Sequence, residues 1–224
     1  DIKDLVLDYY FEKIPKMLGG SFDKYRDDIQ IICPQNQGEV GISEFNLEIQ
    51  NKLRGRHQPV FTGQKGKVVQ QYFPQDKVMQ INNDYELGVM NGEVGTVISG
   101  NEEGLLVLMN GGEVVYPEDK VENLNLAYAT TIHKSQGSEY SAVILPVSKA
   151  NTRMISKNLI YTAITRGKEK VCLIGQKSVL IEEIKHEWKG KRYTGLNHEI
   201  REKIDLEQIS FSRLTEIYRQ RKSN

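Results

Sequence analysis

Cysteine is scarce in this chain: Cys33 and Cys172 are the only two among 224 residues. Each sits in an apolar, strand-like run with no CxxC spacing and no neighbouring histidine, which argues against a disulfide framework or a metal site. A reducing, cytoplasmic setting is the expectation. No apolar run is long enough to span a membrane, and no basic-then-apolar leader opens the chain. The chain begins at Asp1 rather than Met, which reads as a piece of a longer protein. A net charge of either sign is also missing, since 30 Lys and Arg balance 30 Asp and Glu, so no bulk attraction draws a polyanion. Absent too is the Gly-x-x-x-x-Gly-Lys-Ser/Thr loop that cradles phosphates. Gly19-Gly20 and Gly63-Gln64-Lys65-Gly66-Lys67 both lack its ending.

What is present is a chain able to build a core, with 38% hydrophobic residues, and long enough for one large or two small domains. Its charge is unevenly spread. Residues 51–75 hold Lys52, Arg54, Arg56, Lys65 and Lys67 with no carboxylate, whereas residues 82–122 hold nine carboxylates against Lys120 alone. From Lys134 to Lys177 the chain is basic again.

Along the chain, Leu5, Val6, Tyr9, Tyr10 and Ile14 recur at helical spacing, with a break expected at Pro15. Ile29 to Cys33 reads as a strand, and Ile42, Phe45, Asn46, Ile49 and Leu53 as a helix. From 61 to 123 the pattern turns to short strands at 77–81, 94–98, 105–109 and 113–116. They are punctuated by Asn91-Gly92, Gly100 to Gly104 and Asn110-Gly111-Gly112, the signature of a small antiparallel barrel. Candidate helices at 179–188 and 206–221 close the chain.

Two polar clusters stand out, each beside a short apolar run. Thr130 to Glu139 precedes Ala142-Val143-Ile144-Leu145, and Tyr161 to Gly167 precedes Val171-Cys172-Leu173-Ile174. Continuous apolar runs suit central strands of a parallel sheet, and ligands of such sheets gather in the loops at the strand ends. A glycine at 137 among hydroxyls, an amide and an ammonium suits phosphate.

The strings AYATTIHKSQGSEY and NLIYTAITRGKEK resemble motifs V and VI of superfamily 1 DNA helicases of the RecD-like group, which includes the exonuclease V alpha chain. Residues 29–34 with Gly38, Gly41 and Asn46 resemble motif IV. Asp76 to Gln80, Asn82 to Asp84 and Asn91 to Gly95 resemble the segment between motifs IV and V. The resemblance implies an α/β fold: a RecA-like parallel-sheet domain (2A) over 1–60 and 124–190, an inserted SH3-like β-barrel (2B) over 61–123, and a helical, basic tail over 191–224. It further implies that Thr131, His133, Lys134, Ser135, Tyr161 and Asn46 meet single-stranded DNA, and that Gln136, Gly137, Ser138, Glu139 and Arg166 meet ATP. Arg166 would be the arginine finger. Asn46 has a second reading from its residues alone, as a tie within the fold. Gly167 stands where relatives carry Ala, a change expected to loosen the loop, and Lys157-Asn158 stands where some carry a further Arg.

The implied protein is an ATP-dependent helicase of recombination and repair, moving 5′ to 3′. ATP and Mg²⁺ would be bound only with the missing N-terminal motor domain, so this chain alone is expected to be inactive. Nuclease or recombination proteins are its implied partners. A helicase segment of a conjugative relaxase fusion and a degenerate, non-catalytic binding module are the alternatives.

Overall fold

The alternating run at 29–33 and the apolar runs at 142–145 and 171–174 fall in one parallel sheet. In the computed structural model, which describes residues 1–65, 68–101, 103–149, 157–179 and 181, that sheet has four strands: β1 (Ile29–Cys33), β9 (Ala129–Thr131), β10 (Tyr140–Val147) and β11 (Gly167–Gly175). Their order is β11-β10-β1-β9, and every pair is parallel, with Ile31 level with Ile144 on one side and Ala129 on the other. All five residues of β1 are buried, Gln30 included, whose amide nitrogen is satisfied by backbone carbonyls of the neighbouring segment.

The first helical stretch does not stop at Pro15. Helix α1 (Ile2–Asp8) passes through a π turn, Tyr9–Lys13, into α2 (Ile14–Met17). At the π turn the Ile14 N–H bonds back to the Tyr9 carbonyl, five residues away. This wider turn sits where the proline ring and its missing N–H would disturb an α-helix, so the chain continues without a break. Val6, Leu7, Tyr10 and Ile14 pack into the core, while Leu5 is exposed. A short helix, α3 (Phe22–Tyr25), follows and leads to β1.

Helix α4 (Ile42–Arg54) buries Phe45, Asn46, Ile49 and Gln50, the i, i+4 pairs of one face. Lys52 and Arg54 in its last turn suit the negative end of the helix dipole, and Gly55 at φ 52° ends it. Two of its four buried positions are amides, and both reach across to other elements.

Residues 61–126 form the antiparallel part. A hairpin joins β2 (Phe61–Lys65) to β3 (Val68–Tyr72). A five-stranded sheet of order β7-β6-β5-β4-β8 contains β4 (Lys77–Gln80), β5 (Val94–Asn101), β6 (Gly104–Met109), β7 (Gly112–Tyr116) and β8 (Leu124–Leu126). The turn Glu118–Asn123 packs on β2 and lays Val121 into the core.

The second polar cluster, Tyr161 to Gly167, begins in the last turn of α5 (Lys157–Ile164) and ends at the first residue of β11. The described residues belong to one compact unit, Asp1–Glu187; the second unit, Trp188–Asn224, lies outside them. The candidate helix at 206–221, and that at 179–188 apart from residues 179 and 181, therefore fall outside the described residues as well. No helix among the described residues is long and apolar enough to cross a membrane.

Candidate functional site

Two buried amides hold the segment that leads into the first polar cluster. Gln30 on β1 donates through Nε2 to the carbonyls of Ala127 (3.0 Å) and Tyr128 (3.0 Å). Asn46 donates through Nδ2 to Leu126 O (3.0 Å) and Ala129 O (3.1 Å), and its Oδ1 accepts from the Ala129 N–H at 2.8 Å. Both amide hydrogens of Asn46 are thus spent on backbone. Asn46 is built into the fold as a clamp on residues 126–129 and has no donor left to offer a strand.

Beyond β9 the chain makes a single tight turn. Thr131 Oγ1 accepts from Lys134 N (3.1 Å), and Ser135 N donates to Thr131 O (3.1 Å). Gly137 then reverses the chain at φ 88°, a left-handed conformation that side chains with a Cβ resist. The turn exposes His133, Gln136, Gly137 and Glu139 and half-buries Lys134 and Ser138. Ser135 is fully buried, and its hydroxyl donates to Ile132 O at 2.8 Å. Like Asn46, it supports the loop from within.

Arg166 joins the two clusters. Its carbonyl accepts from Tyr140 N (2.8 Å), its Nη1 donates to Ser138 O (3.2 Å), and its Nη2 reaches Thr165 Oγ1 (3.4 Å). Its Nε is buried and without a partner among the described residues. A guanidinium with an unspent buried donor beside a glycine turn is suited to an anion. Thr165 itself donates to Thr162 O (2.9 Å), closing the end of α5. Glu139 pairs with Lys168 at 3.3 Å on the surface. Gly167 is not a loosening of this loop: a Cβ there would lie 2.7 Å from Val171 Cγ2 and 2.8 Å from Lys170 O, so the glycine permits close backbone packing. Tyr161 is exposed on α5.

The turn borders two clefts. One, of about 910 Å³, is lined by His133, Lys134 and Gln136 to Tyr140 on one wall and by Asn91 to Thr96 with Leu108 to Asn110 on the other; Asp27, Asp28 and Lys77 complete it. The second is a groove of about 850 Å³ between α4, β3 and the β8–β9 segment, reaching Thr131 and Lys134. Asn36, Asn46, Gln50, Asn51, Gln70, Gln71 and Asn125 bring seven amides to its lining and Arg54 and Lys134 two cations, and no carboxylate lines it among the described residues. In a chain with 30 Asp and Glu, that exclusion marks a surface open to a polyanion. The sequence groups His133 with Thr131; the structure places it instead with Gln136 to Glu139. Tyr161 and Arg166 line neither cleft.

Residues 76 and 77, which motif reading marks without giving them a role, prove to be a buried acid and base. The Asp76 carboxylate accepts from Phe73 N (2.8 Å), Tyr128 Oη (2.7 Å) and Gln50 Nε2, and burial raises its pKa despite these bonds. Lys77 Nζ donates to Asp27 O (2.8 Å) and Ile29 O (3.4 Å) and lies 5.3 Å from the Tyr140 ring centre. Burial pushes its ammonium down to about 8. Apart from the Phe73 N–H, their partners come from segments remote in sequence, which is why sequence alone gives them no role.

Comparison with known proteins completes the site. Residues 126–174, which hold both polar clusters and the strands beside them, match the UvrD-like helicase C-terminal domain. The chain is similar to the ATP-dependent RecD2 DNA helicase of Deinococcus radiodurans, 31% identical over 152 residues that make up 67% of this chain and 20% of that protein. It is also similar to the RecBCD enzyme subunit RecD of Mycobacterium tuberculosis, 29% identical over 155 residues, 68% of this chain and 25% of that one. The Pif1 helicase from Bacteroides in complex with ADP-AlF3 and ssDNA shares the fold, with a TM-score of 0.53 at 20% identity over 80% of this chain and 48% of that one. The chain spans about a fifth of the length of the first of these curated relatives and a quarter of the second.

Proposed function

From a chain that carries a UvrD-like helicase C-terminal domain and is a relative of the RecD helicases, we propose the C-terminal half of an ATP-dependent DNA helicase that moves along single-stranded DNA. In this reading the parallel sheet with its helices is motor domain 2A and the antiparallel part an SH3-like insert, 2B. The observation that carries the reading is the acid-free, amide-rich groove sharing one turn, residues 131–139, with a second cleft. A strand in the groove would meet Thr131 and Lys134, while a nucleotide would meet Gln136 to Glu139 across the same turn.

Arg166 is the proposed arginine finger. Transfer of the γ-phosphoryl group develops charge on its oxygens, and a guanidinium brought from a second domain stabilises it. The contact of Arg166 with Ser138 O holds the guanidinium beside the turn, and its buried Nε–H is unspent. Magnesium, the P-loop lysine and the residue that positions water would come from the rest of the longer protein, so this chain alone turns over no ATP. Movement from 5′ to 3′ and a place in recombination and repair belong to the same proposal.

The test is anisotropy of a labelled oligo-dT strand titrated with this chain across salt concentrations. The reading expects affinity to fall with salt by a slope of about −0.7 per phosphate contact. Lys134→Ala should flatten that slope by about the same 0.7, one contact's worth. Gln70→Glu and Asn51→Glu, which put carboxylates into the groove, should weaken binding further. Binding untouched by all three variants would refute the groove as the strand's path.

A further inference from the structure

The two clefts lie on different sides of one dipeptide. Asp76 immediately precedes β4 and Lys77 opens it, and their side chains bond in different directions. Asp76 reaches toward the groove: it holds Gln50, whose amide also donates to Gln71 O at 2.9 Å, and both Gln50 and Gln71 line the groove. The same carboxylate holds Tyr128, within the segment that leads into the turn at 131. Lys77 reaches the other way. Its ammonium fastens the start of β1 through Asp27 O and Ile29 O and sits beside Tyr140, the residue whose N–H bonds to the Arg166 carbonyl. Both side chains are about as buried as side chains become, at 2% and 1% exposure.

Burying a carboxylate and an ammonium costs several kcal/mol each unless hydrogen bonds offset it, and well-packed apolar residues would often hold the fold as well. Here the carboxylate has three donors and the ammonium two carbonyls, so each is bonded and neither can shift without moving its partners. The route runs from the groove wall through Gln50 to Asp76, passes along the backbone to Lys77, and continues through the Tyr140 ring and the Tyr140 N–H to the Arg166 carbonyl. We propose that Asp76 and Lys77 are positioning residues that couple occupancy of the groove by a single strand to the placement of Arg166. The inference rests on the helicase reading and adds the route by which strand binding reaches the arginine.

The experiment uses the intact protein that contains this chain, and measures oligo-dT affinity, ATP turnover without DNA, and the factor by which oligo-dT stimulates turnover. Lys77→Met keeps the length of the side chain and removes its charge. The expected result is a stimulation factor tenfold or more lower, with oligo-dT affinity within twofold of wild type; Lys77→Arg, still cationic, should restore a third or more of the stimulation. Asp76→Asn should give a comparable loss, and the double variant should lose no more than either single one, as members of one path do. The proposal is overturned if Lys77→Met leaves stimulation within twofold, if the two losses multiply, or if stimulation falls only in proportion to thermal stability. A wild-type protein that neither binds oligo-dT nor hydrolyses ATP would overturn the helicase reading itself, and this inference with it.

Discussion

Replacing Asn46 by alanine separates a clamp from a ligand contact. The substitution removes three hydrogen bonds, to Leu126 O, Ala129 O and from the Ala129 N–H, at a side chain that is only 7% exposed. Each such bond contributes about 1 kcal/mol net, and a buried N–H left without an acceptor costs about 1–3 kcal/mol. The two carbonyls lose a donor but keep one lone pair each for other partners, so the orphaned Ala129 N–H dominates. The expected loss is about 3 kcal/mol, which for a domain of this size is roughly a 6–12 °C fall in melting temperature. Urea unfolding of the chain followed by far-UV circular dichroism measures it. Asn46→Asp should be at least as damaging, because it turns a carboxylate oxygen toward the two carbonyls. Should Asn46→Ala lower stability by less than about 1 kcal/mol yet weaken oligo-dT binding tenfold, the clamp argument is wrong and the amide serves the strand.

Three further outcomes follow from the same geometry. Burial pushes the Lys77 ammonium down to about 8 from its ordinary 10.5, so between those values the unfolded chain holds a proton there that the folded chain lacks, and Lys77 makes stability rise with pH; the Cys33 and Cys172 thiols, and tyrosines such as Tyr10 and Tyr128, are raised by burial and pull the other way as the unfolded chain loses their protons. Wild type should therefore gain on the order of 2 kcal/mol of unfolding free energy relative to Lys77→Met from pH 8 to 10, the thiols and tyrosines acting alike in both, as pH-dependent denaturation would show. Under the proposed function, Arg166→Ala in the intact protein should slow ATP turnover by about 10³ to 10⁵ while oligo-dT affinity stays within about twofold, readable by steady-state kinetics and anisotropy. Gly137→Ala meets no atom within 4 Å, so its cost is conformational, roughly 1–2 kcal/mol, and calorimetry of the chain should find that loss and no more.

Ala142 to Leu145 could be read in advance because burial on both faces writes itself as unbroken apolar sequence, and it is a central strand; Val171 to Ile174 joins the same sheet but at its edge, with Leu173 exposed. Turn chemistry at Asn91-Gly92 and Gly111-Gly112 likewise announced an antiparallel part. Pro15 misled because a π turn absorbs it, which no local rule anticipates. The hairpin of β2 and β3 was missed, since Phe61 to Tyr72 reads as polar and basic. Asn46, Ser135, Asp76 and Lys77 share one lesson. A polar residue's task depends on whether its hydrogen bonds close inward or open to solvent, and that is decided by elements far away in the chain. Ser135 looks like its neighbour Lys134 in sequence, yet one hydroxyl is sealed under the turn and one ammonium borders both clefts.

The order of strands in the parallel sheet has a consequence for synthesis. β1 lies between β9 and β10, so both of its neighbours are made after roughly 100 further residues; at about 5–20 residues per second, that leaves Ile29 to Cys33 bare for about 5–20 s as the chain emerges. The run IQIIC, with two open edges, is a template for pairing with any other nascent copy. The helical segment from Ile2 to Met17 is already complete when β1 appears, and its buried face, Val6, Tyr10 and Ile14, shares the core of Ile29 and Ile31. It can serve the newborn strand as a cover, holding it in solution until its own partners arrive.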